Sequence, residues 1–289
     1  MMNYMKRFVL AAMSAALVVA AVGITGATAS ADQNASELSA TQSTSSFSSP
    51  NNAYGPWSVQ TLQYQWQGGN DVPSITVFNR DDNDRPAASH SNALYVDDYH
   101  TWSDRFYTYE QASVANGNIL PYRMLYIEGD VKLLPSRDLV MALGGAQLQN
   151  PDGTSTRYVS VGPTVYDGHM SYQVRFLPSN TNGINTSATE FVAMYSNIGK
   201  DQVTVSLLDG SQPSVLVGFP PSLTTYQRLN EEDVVWRHWV QKNIGFILGG
   251  TVGNHFDRFS GANIYNQRAI TFGIFYGQAV GLPTIGSPR

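Results

Sequence analysis

Cysteine is absent from the 289 residues, and charge is scarce, with Asp, Glu, Lys and Arg making up 13% of the chain. Without cysteine there is no disulfide framework and no thiolate metal site. Soluble domains average about 25% charged residues, so the deficit points to a surface not wholly bathed in water. Beyond the N-terminal segment no run of about 18 apolar residues occurs, which excludes a helical span in the remainder. Walker and dinucleotide-binding glycine patterns, a Gly-x-Ser-x-Gly elbow and a His-x-x-x-His pair are missing too. The formal net charge of −5 has the wrong sign for binding phosphate backbones, which argues against nucleic acid as a partner.

What is present begins with a targeting signal. Lys6 and Arg7 form a basic n-region, Phe8 to Val22 an apolar h-region, and Ala29 and Ala31 offer the small side chains a signal peptidase accepts. Residues 1–31 are therefore expected to be a signal peptide cleaved after Ala31. Residues 32–54 are Ser, Thr, Asn and Gln with few aliphatics, and read as a disordered leader that cannot offset its ordering entropy. A single domain is expected over residues 55–277, followed by a C-terminal extension at 278–289.

Within that domain the recurring pattern has period two. Leu125, Ile127, Val131 and Leu133 alternate with Tyr126, Glu128, Asp130 and Lys132, and Met170, Tyr172, Val174 and Phe176 alternate with His169, Ser171, Gln173 and Arg175. Ile244, Phe246, Leu248 and Val252 repeat it, as do Ile270, Phe272, Ile274 and Tyr276. Thirteen candidate strands begin near Trp57, Ser74, Asn92, Asp104, Tyr122, Asp138, Ser155, Gly168, Ser187, Gln202, Asp233, Asn243 and Gln267. Single-chain bacterial barrels have even strand numbers, so the expectation is twelve, with fourteen as the alternative. Tight turns are expected at Gly68–Asp71, Pro135–Arg137, Asp167–Gly168, Gly199–Asp201 and Gln241–Asn243. Longer polar loops are expected at Arg80–Ser91, Asn116–Pro121, Gln149–Thr154, Pro178–Thr186, Gly210–Leu223 and Asn254–Asn266.

Alternation alone does not say whether lipid or protein covers the apolar face. Low charge on the polar face, aromatics near strand ends (Trp57, Trp66, Tyr95, Trp102, Tyr107, Tyr109, Tyr166, Tyr195, Tyr276) and the number of strands in one domain favour lipid. In lipid only a closed sheet satisfies every backbone amide. The fold class is thus all-β, a transmembrane antiparallel up-and-down β-barrel. The stretch YVSVGPTVYDGHMSYQVRFLP followed by TEFVAMYSNIGKDQVTVSLLDGSQP resembles the YaiO family of outer-membrane β-barrels, as do DRFYTYEQAS, ILPYRMLYIEGDVKLL and DLVMALGGAQ upstream. That resemblance implies a bacterial outer-membrane protein without an assigned reaction, and carries over no catalytic residue. Such barrels commonly end on the aromatic of the last strand, whereas here Gly277–Arg289 follow Tyr276.

No catalytic, cofactor or metal residues are assigned. Glu128, Asp130, Lys132, His169, Arg175, Glu190 and Arg237 are expected to line the lumen as a mutually paired polar network, the alternative being a polar conduit for a small or sugar-like solute. His100 near Asp97, Asp98 and Asp104 lacks a nucleophile beside it, and His238 falls between Trp236 and Val240 on an outward face. Asp81, Asp82 and Asp84 lack the Gly and Glu of a calcium loop and read as a solvated acidic loop. The expected role is structural, surface or passive passage without catalysis. Its expected partners are outer-membrane lipid, lipopolysaccharide and, during insertion, the barrel-assembly machinery. A lipid-acting outer-membrane enzyme and a soluble carbohydrate-binding β-domain are the two alternatives.

Overall fold

A computed structural model describes residues 35–277 apart from 50–53, 84–88, 119, 134–137, 198 and 216–223. Everything regular in it is strand. In chain order these are β1 (Ser36–Ser48), β2 (Trp57–Trp66), β3 (Ser74–Asp82), β4 (Ser89–Thr101), β5 (Phe106–Gly117), β6 (Arg123–Lys132) and β7 (Leu139–Gln149), followed by β8 (Ser155–Asp167), β9 (Met170–Thr181), β10 (Ile184–Asn197), β11 (Asp201–Val215), β12 (Thr224–Gln241), β13 (Ile244–Asp257) and β14 (Asn263–Gly277). Each pairs antiparallel with its neighbours in sequence, and β1 also pairs with β14, so the sheet closes into a barrel. Among the described residues no helix is long and apolar enough to cross a membrane.

The count is fourteen, the alternative to the expected twelve. The thirteen strand positions read from the sequence correspond to β2 through β14. The addition is β1, which lies inside the segment 32–54 expected to be a disordered leader; that expectation is corrected, and the barrel begins before residue 55. In its sequence, SELSATQSTSSFS, the apolar residues that share the outward parity are Leu38 and Ala40, which stand opposite Tyr276 and Ile274 of β14. Local pattern does not make this a strand. Closure does, because without it β14 and β2 would each present a row of unpaired amides.

Alternation sorts the side chains as the apolar periodicity anticipates. On β6, Leu125 is 64% exposed on the outside while Glu128 is 1% exposed inside. Ile127, Leu143, Val159, Val174, Phe176, Leu248 and Ile270 continue an exposed apolar belt around the barrel. Only part of the aromatic set joins a girdle at its edge. Trp102 and Tyr276 are exposed on the outer side, and Tyr64 stacks on Trp66 there. Trp57, Tyr107 and Tyr109 are instead buried in the interior. Proximity to a strand end does not reveal the face, and on β5 the outward positions beside the tyrosines are Thr108 and Glu110, so polarity gives no contrast there.

Several expected loops are strand. β9 and β10 meet at a two-residue turn, Asn182–Gly183, both with positive φ (49° and 85°), where a long loop over Pro178–Thr186 was expected. That backbone matches the tight hairpin turns that Asn-Gly prefers. Strand extensions shorten the Arg80–Ser91 and Asn254–Asn266 segments at both ends, and β11 runs into the Gly210–Leu223 segment as far as Val215. Above the apolar belt both faces are polar, so composition there imitates a loop. The signal peptide, the C-terminal extension 278–289 and the Pro135–Arg137 turn lie outside the described residues.

Candidate functional site in the barrel interior

The interior is built as two unlike walls. On the wall from β4 to β9, alternate residues send in Tyr99, Tyr107, Tyr109, Tyr126, Tyr158 and Tyr166, which pack with Val72, Val140 and Ala146. Ring centroids lie 4.8 Å apart for Tyr99–Tyr109, 5.8 Å for Tyr109–Tyr126 and 5.9 Å for Tyr126–Tyr158. These are the offset and tilted contacts aromatic quadrupoles favour.

Set into this wall is an ion cluster. The Arg175 Nη2 lies 3.3 Å from Glu128 Oε1 and 3.8 Å from Asp130 Oδ1. Its Nη1 donates to the carbonyls of Gly162 (3.1 Å), Pro163 (3.2 Å) and Val174 (3.3 Å) and to the Thr164 hydroxyl at 3.3 Å. The Tyr126 hydroxyl donates to Glu128 Oε2 at 2.5 Å, and the Ser160 hydroxyl to the same oxygen at 3.0 Å. Small residues make the cluster possible. A Cβ at Gly144 would stand 2.8 Å from the Tyr126 oxygen and 2.9 Å from Glu128 Cβ. Ala142, opposite Asp130 and Gly162 in register, keeps β7 out of the path of the guanidinium.

Of the seven residues expected to line the lumen, six face inward. Glu128, Asp130 and Arg175 meet directly. Glu190 stands opposite Arg175 in the β9–β10 register. Lys132 places its ammonium 5.8 Å from the Tyr107 ring centroid. Arg237 is on the far wall, paired with Glu37 of β1 and lying over the Phe275 ring at 4.8 Å. His169 departs from the expectation. Its parity is inward, but it belongs to the β8–β9 turn, where it is exposed and bonds the Ser196 carbonyl at 3.0 Å. Sequence reasoning missed Glu37, which fell in the expected leader, and the tyrosine wall.

The other wall, from β10 round to β3, is wetter. Thr41, Thr61, Gln63, Gln202, Thr204 and Thr251 face inward and are half-exposed, as are Glu231 and Asp233. Toward the β12–β13 turn it carries a buried apolar cluster of Trp239, Ile247 and Phe275.

The model of the YaiO membrane beta barrel domain matches residues 35–215. The chain belongs to that family. The match begins at β1, in agreement with a barrel that starts there. No curated protein matches this YaiO barrel. Among solved structures, the CymD monoaromatic hydrocarbon channel is similar with a TM-score of 0.56 at 8% identity, over 86% of this chain and 89% of that one. A deltaS2S3 mutant of the TodX monoaromatic hydrocarbon channel is similar with a TM-score of 0.53 at 9% identity, over 86% and 91%. Both likenesses concern the fold alone. Membership in a membrane-barrel family, together with the exposed apolar belt, disposes of the soluble β-domain alternative.

Elsewhere in the YaiO barrel His90, His100 and His238 face outward, whereas His255 is buried inside, 3.0 Å from Gln227 Oε1. His100 bonds Asp71 and meets Trp102 edge-on at 4.3 Å, and Asp71, Asp98 and His100 have potential ligand atoms within 4.8 Å of one another. Asp97, expected beside His100, turns inward and accepts from Ser74 at 2.9 Å. His238 is outward, as expected, and bonds Asp201 at 2.9 Å. The expected acidic loop is replaced by strand: Asp82 faces inward and pairs with Arg80 at 2.8 Å, while Asp81 faces outward against His90 at 2.6 Å. Asp84 lies outside the described residues. The hydrogen bonds of His100 and His169 thus go to a carboxylate and a backbone carbonyl, not to a hydroxyl that either could activate.

Proposed function

We propose that this YaiO barrel is a non-enzymatic passage for small polar solutes in a bacterial outer membrane. The observation that carries the reading is the contrast between the two interior walls. One is filled with tyrosines around a buried ion cluster, and the other is lined by half-exposed Thr, Gln, Glu and Asp. Lining groups that water reaches and that offer hydrogen bonds suit a hydrated solute, sugar-sized molecules included, and do not suit an apolar one. Export through residues 1–31 with cleavage after Ala31, insertion by the barrel-assembly machinery, and an outer belt seated against lipid and lipopolysaccharide belong to the same reading. Liposome swelling with neutral sugars tests it. Vesicles holding the folded barrel should admit small sugars faster than protein-free vesicles. Equal rates, with the barrel shown folded by heat-modifiable gel migration, would leave a structural role in its place.

A further inference from the structure

We infer that the passage discriminates by charge and favours small cations, an inference that rests on the passage proposed above. Its basis is an imbalance among the inward-facing charges of the described residues. Two pairs cancel, Arg80 with Asp82 and Arg237 with Glu37. Lys132 of β6 is a formal counterweight to Asp97 of β4 on the tyrosine wall. What remains is acidic. Arg175 alone faces three carboxylates, those of Glu128, Asp130 and its register partner Glu190.

The excess extends onto the wetter wall. Glu190 is opposite Leu208 on β11, and Leu208 is opposite Glu231 on β12, so the two glutamates share one row with a single strand between them. Asp233 lies next along β12, opposite Ser206 and Thr251, and accepts the Thr251 hydroxyl at 2.5 Å. The number of inward carboxylates against inward cations, not the state of any one group, sets the sign of this wall.

Spacing makes these groups act together. Strands lie about 4.8 Å apart, so carboxylates two strands apart are roughly 10 Å from each other, about one Debye length at 0.1 M salt. A hydrated ion moving along β10–β12 therefore feels Glu190, Glu231 and Asp233 as one patch. A single carboxylate about 5 Å away in water-like surroundings changes the local concentration of a monovalent ion by roughly fourfold. Rows of like-charged side chains set selectivity in this way in other pores.

The test is the reversal potential of the full barrel in a planar bilayer under a KCl gradient, with the neutral-sugar swelling assay run beside it. The expected result is K⁺ preferred over Cl⁻ several-fold near 0.1 M, with the preference shrinking toward 1 M, where the Debye length is only ~3 Å. The E190Q/E231Q/D233N variant, confirmed folded by its gel migration, should lose most of that preference while still passing neutral sugar. If the triple variant does not fold, Glu231→Gln alone should reduce the preference by about twofold or more, since Glu231 on β12 stands three strands away from Arg175 on β9. Conductance that is unselective or prefers Cl⁻ would overturn the cation inference and leave the passage standing. An undiminished preference in a folded variant would overturn its assignment to these carboxylates. Absence of both conductance and swelling would overturn the passage and the inference together.

Discussion

Replacing Arg175 by methionine keeps an unbranched stem and removes the guanidinium, with its charge and its hydrogen-bond donors. The side chain is 3% exposed, and the Glu128 and Asp130 side chains facing it are 1% and 2% exposed. In the variant those two carboxylates confront each other without the guanidinium, and the Gly162 and Pro163 carbonyls lose a donor. Breaking a buried pair by removing one partner costs about 3–5 kcal/mol, most of it from the charge left behind. The measurement is the urea dependence of folded fraction in lipid vesicles, read by heat-modifiable migration and tryptophan fluorescence. Removing all three charges at once, as R175M/E128Q/D130N, should recover much of the loss, because neutral amides in a confined site need far less solvation. The reasoning fails if R175M lies within about 1 kcal/mol of the parent, the worth of an exposed pair, since the tyrosine wall would then be wet.

Three further outcomes are expected. Leu125→Arg, on the outer belt, should destabilise the barrel by about 2–4 kcal/mol in vesicles, and spin labels at Leu125, Val174 and Phe246 should be reached by lipid-borne quenchers; labels shielded from lipid would reverse the assignment of faces. Thr41→Pro removes an amide from the strand paired on both sides, with Gly273 of β14 and Thr61 of β2, and should sharply lower the yield of folded barrel, whereas normal yield would mean that β1 is dispensable. Gly144→Val forces a side chain against Tyr126 and Glu128 and should cost about 1–3 kcal/mol by urea titration, so an unchanged midpoint would count against the Tyr126–Glu128 hydrogen bond.

The fold was legible wherever one face is apolar. On β6, β9, β13 and β14 the two faces differ so plainly that both strand and orientation follow from the residues. β1 was not legible, because a strand of Ser, Thr and Gln owes its state to the edges it satisfies, one of them at the far end of the sheet's own sequence. The hairpin at Asn182–Gly183 was hidden for a related reason. Polar residues on both faces carry no period, and only the Asn-Gly pair marked the turn. In the interior, the parity of Glu128, Asp130, Lys132, Arg175, Glu190 and Arg237 was readable. Who meets whom was not, since that depends on register across strands and on the room left by Gly144, Ala142 and Gly162. His169 shows the limit of parity, which stops at the last paired residue of a strand.

The seam between β1 and β14 has a kinetic consequence. The first described strand in chain order completes its ladder only with the last, as in the Ser46 hydroxyl bonding the Arg268 carbonyl 222 positions on. Bringing such distant segments together is entropically slow, and no partial sheet can rest within hydrocarbon while its terminal amides lack acceptors. Sealing is therefore the committing event of biogenesis: every other hairpin can zip locally, but the cylinder exists as a unit only after its two ends have found each other.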